Sequence, residues 1–125
     1  MKLLFDTNAL LWLIAGSERL SPAARDAAAD AGNPLFTSAG SLLEIAIKRS
    51  IGKLDVPDDL PSRLPSLGCD VLPVSAAHAW RVGDLPLLHK DPFDRLIVAQ
   101  ALEEDMILVT SDAVLARYGV PVLAA

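Results

Sequence analysis

Asp6, Glu44, Asp94 and Asp112 are spread over a chain of 125 residues, yet each falls where folding can aim it at one place. Asp6 ends a short, largely apolar run that begins at Lys2, and Asp112 follows a second such run, Met106 to Thr110, through Ser111. Glu44 lies among apolar neighbours in the segment 38–50, and Asp94 comes two residues after Pro92. If the four converge, two ionised carboxylates about 5 Å apart repel by roughly 3 kcal/mol at an effective dielectric of about 20. Four together do not all stay charged unaided. Either some take up protons or a divalent cation neutralises them, and an all-oxygen ligand set selects a hard ion such as Mg2+ or Mn2+. Such a site binds phosphate oxygens, acidifies a bound water and stabilises charge on both oxygens of an in-line displacement, which is phosphodiester hydrolysis. With His78 and His89 the only histidines, a metal-free mechanism using paired imidazoles is poorly supplied. His78 reads as helix surface or core, and His89 as a loop residue near the acids.

The element that carries Asp94 is the best defined in the chain. Pro92 suits the first helical position, where its missing N–H costs nothing, and Asp91 before it is a good N-cap. Phe93, Leu96, Ile97, Gln100 and Ala101 recur at helical spacing, and Val98, Ala99 and Leu102 make most of the remaining circumference apolar, which predicts a mostly buried helix. Asp94 then sits where the positive end of the helix dipole favours its ionised form. It answers either to a cation or to a capping box that reaches back to the Asp91 N–H. Asp91 is read as the N-cap in preference to a metal ligand. Thr7, Asn8, Thr110 and Ser111 either orient carboxylates and bound water or serve turns and caps.

Taken in order, Lys2 to Asp6 is a strand, Ala9 to Ala15 an apolar helix stopped by Gly16, and Ser21-Pro22 the start of a helix running to Ala31. Pro34 to Thr37 is a second strand and Ser38 to Ser50 a helix carrying Glu44; a Ser41–Glu44 capping box requires that helix to start at Ser41 instead. Residues 52–68 hold at most a short helix around Asp58 to Leu67. Asp70 to Val74 is a strand, Ser75 caps a helix through Val82, and the strand at Met106 is followed by a short helix and a last strand, Val120 to Leu123. Alternating strands and helices predict one domain over residues 1–125, a three-layer α/β/α fold with a central parallel sheet. Asp6 and Asp112 fall at the carboxyl ends of strands, where ligands bind in open parallel sheets.

The apolar fraction of 52% suits strands covered on both faces. The single Cys69 makes no internal disulfide and no Cys/His pattern suggests zinc, which fits a reducing cytoplasm. Lys2 to Ala15 imitates a secretory signal only faintly, because Asp6 and Asn8 interrupt it, and no run is long enough to span a membrane. A net charge of −5 argues against a surface that grips nucleic acid throughout. It leaves room for a local patch, for which Lys48, Arg49 and Lys53, with Lys90 and Arg95, are the candidates, and it suits a basic protein partner.

Asp6-Thr7-Asn8 after a first strand, Ser41 to Lys48, His89-Lys90-Asp91-Pro92-Phe93-Asp94-Arg95 and Thr110-Ser111-Asp112 occur in the order seen in PIN-domain nucleases. Over nearly its whole length, including Tyr118-Gly119-Val120-Pro121-Val122, the chain resembles the VapC-type toxins of prokaryotic type II toxin–antitoxin systems. The resemblance places the acidic quartet on Asp6, Glu44, Asp94 and Asp112, adds the Thr110 hydroxyl, and leaves Asp91 as a further acid. It implies a Mg2+- or Mn2+-dependent endoribonuclease that inhibits translation and leaves 5′-phosphate and 3′-hydroxyl ends. It also implies a homodimer, and neutralisation by a VapB-like antitoxin through which alone operator DNA is reached. The ending Ala124-Ala125, where relatives often carry a bulkier residue, touches no catalytic position. A dehalogenase-like phosphatase wants an acid where Asn8 stands, and a phosphoacceptor receiver wants one where Val74-Ser75 stands. A PIN-like RNA-binding or scaffold module without turnover is the rival of another class.

Overall fold

The computed structural model describes residues 1–125 and builds five parallel strands into one sheet: β1 (Leu3–Phe5), β2 (Leu35–Ser38), β3 (Cys69–Leu72), β4 (Ile107–Thr110) and β5 (Val122–Ala124), ordered β3-β2-β1-β4-β5. Every residue of β1 is buried, as its central place demands. Side chains alternate between the faces of a strand, and the core divides accordingly. Leu3, Phe5, Leu35, Cys69 and Val109 point to one side, against α1 (Thr7–Ala15), α2 (Pro22–Ala29), α3 (Ala39–Ser50) and α4 (Leu60–Arg63). Leu4 and Leu108 point to the other, against α6 (Pro92–Glu103) and α7 (Ala113–Ala116), while α5 (Ala76–Arg81) packs on α6. These are the three layers expected from the alternation of strands and helices.

Local chemistry moves several boundaries. Helix α1 begins at Thr7, earlier than Ala9, because the Asp6 side chain accepts the Ala9 amide as an N-cap; Gly16 ends the helix in the left-handed region. Helix α2 stops at Ala29, short of Ala31, where Asp30 leaves helical geometry and its carboxylate accepts the Gly32 amide. Ser38 caps α3, so the Ser41–Glu44 capping box does not form, and the Ser41 hydroxyl instead donates to the Thr7 hydroxyl, whose own proton goes to Glu44. Asp91 caps α6 through the amides of Phe93 and Asp94, and its own amide donates to His89, which leaves nothing for Asp94 to cap. The last strand starts at Val122, past Pro121, whose nitrogen has no proton for the sheet.

Candidate functional site

The strand order reverses between β1 and β4: the chain leaves β1 for β2 on one side, and β4 is added on the other. Crevices at such switch points, outside the carboxyl ends of the strands, are the natural binding places of open α/β sheets. Asp6 follows β1 and Asp112 follows β4, so they flank this crevice. Glu44 enters from α3, where it is buried on the same side as Ser41 and Ile45, and Asp94 enters from the first turn of α6. Helices α3 and α6 touch, and Gly40 allows it: a Cβ there would lie 2.7 Å from the Leu96 side chain.

Each acid is held differently. Asp6, 5% exposed, has a donor on both oxygens: the Ala9 amide at 2.8 Å on Oδ1, and the Thr110 hydroxyl on Oδ2. Burial still pushes its carboxyl above the usual range, with the charges of Asp112 and Glu44 adding to the rise. Glu44 accepts from the Thr7 hydroxyl at 2.6 Å and from Lys48 Nζ at 2.8 Å. That bond, with the charges of Glu44, Asp91 and Asp94, raises the Lys48 ammonium and keeps it protonated. Asp112 caps α7 through the Val114 amide at 2.9 Å, and its Oδ2 lies 3.1 Å from His89 Nε2. Asp94 makes no side-chain hydrogen bond; its nearest polar partner is His89 Nε2, 3.4 Å from Oδ2.

The state of Asp94 departs from what its helix position predicts. Burial and the neighbouring charge of Asp91 raise it to about 6, reinforced by Glu44 and Asp6 and opposed by His89. A helix dipole is worth about 1 kcal/mol near the surface; withdrawal from water beside other carboxylates outweighs it here.

The remaining sequence candidates separate. Thr110 is a working part: its hydroxyl accepts the Asp112 amide at 3.0 Å while donating to Asp6. Asp91 Oδ1 is occupied by the first turn of α6. Asn8 and Ser111 are exposed and bond to none of the acids. Among the basic residues, Lys48 is paired with Glu44, Arg49 with Asp58, and Lys90 is exposed. Arg95, expected as a surface contact, is a brace: its guanidinium donates to the carbonyls of Val82, Leu85, Pro86 and His89 and to the Tyr118 hydroxyl. A helical first-turn arginine meets carbonyls only if a loop returns over it, which spacing alone does not announce.

Two side chains outrank their place in the sequence reading. Thr7 ties α1 to Glu44 and Ser41. His89 stands between two acids: His89, Asp94 and Asp112 each offer a ligand atom within 4.8 Å of one another. The signal for His89 was its position two residues before the cap of α6.

The acids suit a hard divalent ion on the chemistry of their donors. Asp6, Glu44, Asp94 and Asp112 are near enough to shift one another, Lys48 is the one lysine or arginine bonded to them, and Asp94 has oxygens that no N–H or O–H engages. Oxygen ligands in surplus negative charge fit Mg2+ or Mn2+ rather than a soft metal.

Residues 3–121 match the family model described as PIN domain. No curated protein matches the sequence. Among solved structures, the chain is similar to one in a Rickettsia felis VapBC2 complex bound to a promoter DNA fragment, at 19% identity and a TM-score of 0.71, with 98% of each chain covered. It is also similar to a chain of a Klebsiella pneumoniae toxin–antitoxin complex, at 23% identity and a TM-score of 0.64, covering 98% of this chain and 96% of that one. A chain of the FitAcB structure from Neisseria gonorrhoeae aligns at 19% identity and a TM-score of 0.59, with the same coverage.

Proposed function

The chain belongs to the PIN-domain family, and from that premise we propose that it is a Mg2+- or Mn2+-dependent endoribonuclease, the toxin of a VapBC-type toxin–antitoxin pair that inhibits translation by cutting RNA. The observation that carries the proposal is the gathering of Asp6, Glu44, Asp94 and Asp112 at the switch point, with Asp94 raised to about 6 and without a hydrogen-bond donor.

A divalent ion bound by these acids would supply charge stabilisation to the scissile phosphate and to the oxygens entering and leaving it. The chain supplies placement. Helix caps hold one oxygen each of Asp6 and Asp112, and Thr110 holds the second oxygen of Asp6 and the backbone amide of Asp112. Thr7 holds one oxygen of Glu44, and Lys48 holds the other. We assign the RNA phosphates to Lys90, which is exposed, and to Lys48, which stays half-exposed at the crevice while bonded to Glu44; Arg49 is paired with Asp58 and Arg95 is spent on loop carbonyls.

The solved complexes similar in fold carry an antitoxin, and one of them is bound to promoter DNA. A VapB-like antitoxin is the partner we propose for this chain. At a net charge of −5 the chain reaches operator DNA only through that partner, and we propose a homodimer acting in the cytoplasm. No helix is long and apolar enough to cross a membrane.

The test is RNA cleavage by purified protein with Mg2+ or Mn2+, comparing Asp6→Asn and Asp94→Asn with wild type. Asn caps a helix as well as Asp does, so Asp6→Asn should fold normally and lose on the order of 100-fold in cleavage. Cellular toxicity should disappear with it. Cleavage undiminished in Asp6→Asn removes the assignment of that residue. RNA binding without any cleavage by wild type makes the chain a PIN-like binding or scaffold module instead.

A further inference from the structure

The one imidazole in the site is not free to choose its role. His89 Nδ1 lies 3.0 Å from the backbone amide of Asp91, a group that can only donate, so Nδ1 accepts and carries no proton. In the neutral ring the proton is therefore on Nε2, the atom 3.1 Å from Asp112 Oδ2 and 3.4 Å from Asp94 Oδ2. The ring is held there by its own backbone: the His89 amide donates to the Tyr118 hydroxyl at 2.9 Å, and its carbonyl accepts from Arg95.

We infer that His89 is a positioning residue and not a metal ligand: its Nε2–H donates to Asp112 and draws Asp94 Oδ2 alongside. Three groups of ligand type within 4.8 Å would otherwise read as a three-ligand centre. A histidine ligates through an unprotonated nitrogen, and here that nitrogen is spent on the Asp91 amide. Turning the ring to offer Nε2 as a ligand would move its proton to Nδ1 and set two N–H groups against each other. The geometry therefore splits the group by chemistry: oxygens for the cation, and one N–H donor that sets their spacing. Asp112 Oδ1 is occupied by Val114, so the His89 contact fixes the carboxylate's second oxygen and hence its plane.

This rests on the metal-dependent reading above, and two measurements keep the two apart. Nitrogen-15 NMR of the metal-free protein reports the His89 tautomer, with the proton expected on Nε2. Calorimetric titration with Mg2+ then compares wild type, His89→Asn and His89→Gln at neutral pH. Asn retains an acceptor for the Asp91 amide but does not reach Asp112; Gln places an N–H near the position of Nε2. His89→Asn should keep the wild-type melting temperature within a few degrees and lose about 10- to 100-fold in Mg2+ affinity, as outer-shell partners typically do. His89→Gln should recover most of that loss. On adding Mg2+ to wild type, the Nε2 proton should stay in place. A proton on Nδ1, its loss from Nε2 when Mg2+ binds, or equal Mg2+ affinity in His89→Asn overturns the inference and leaves the nuclease reading intact. Failure of wild type to bind Mg2+ removes both.

Discussion

Thr110 and Asp6, 104 residues apart in sequence, share a hydrogen bond at the carboxyl edge of the β1–β4 pair, donated by the threonine hydroxyl to Asp6 Oδ2. The same hydroxyl accepts the Asp112 amide, so one small side chain ties the Asp6 carboxylate to the backbone of Asp112, the two acids that follow neighbouring strands. With the Ala9 amide, it supplies a donor that opposes the rise burial imposes on the Asp6 carboxyl.

Thr110→Val should therefore weaken the site before it weakens the fold. Asp6 Oδ2 and the Asp112 amide would lose their partner, at a cost of about 1–3 kcal/mol. Mg2+ affinity by calorimetry should fall about 10- to 100-fold. Thr110→Ser should recover most of that affinity. A Val variant with wild-type affinity would show that the hydroxyl serves the strand end alone.

Asp94 makes the protein's response to pH depend on metal. A carboxyl raised to about 6 binds its proton more tightly folded than unfolded, where it has its ordinary value of 3.8. Between these values the folded state holds more protons, so its stability falls as pH rises, by roughly 3 kcal/mol at most. In chelator, Asp94→Asn should thus raise the melting temperature at neutral pH, and the gain should shrink toward pH 4. Mg2+ should reverse the order, stabilising wild type at neutral pH and losing affinity about tenfold per unit below pH 6. Melting curves across pH, with and without Mg2+, decide it; a lower neutral melting temperature for Asp94→Asn in chelator contradicts the raised value.

Arg95 should matter to stability rather than to RNA. Arg95→Met strips donors from the carbonyls of Val82, Leu85, Pro86 and His89, at an expected cost of about 2–3 kcal/mol. Arg95→Lys should restore only part of this, because an ammonium cannot span carbonyls that a planar fork reaches. Hydrogen exchange should accelerate between Val82 and Lys90. A variant that melts like wild type and yet binds RNA more weakly would return Arg95 to the phosphate-contact role that its charge suggests.

Sequence by itself determined whatever depends on neighbours along the chain. Asp91-Pro92 set the start of α6, Ser21-Pro22 that of α2, and Gly16 the end of α1, because caps and turns are decided within a few residues. The alternation of strands and helices carried the layered parallel sheet, and strand ends located Asp6 and Asp112. What only the tertiary structure decided are the properties set by segments that meet in space. The ionisation of Asp94 follows from burial beside Glu44, Asp6 and Asp91, which overrides the helix end that sequence could see. Arg95 became a brace because the loop from Val82 to His89 returns over it, and His89 entered the acidic crevice because that loop and Tyr118 hold it there. Charge, solvent access and hydrogen-bond partners depend on three-dimensional distance, whereas residue types and spacing fix only the local turns that make such meetings possible.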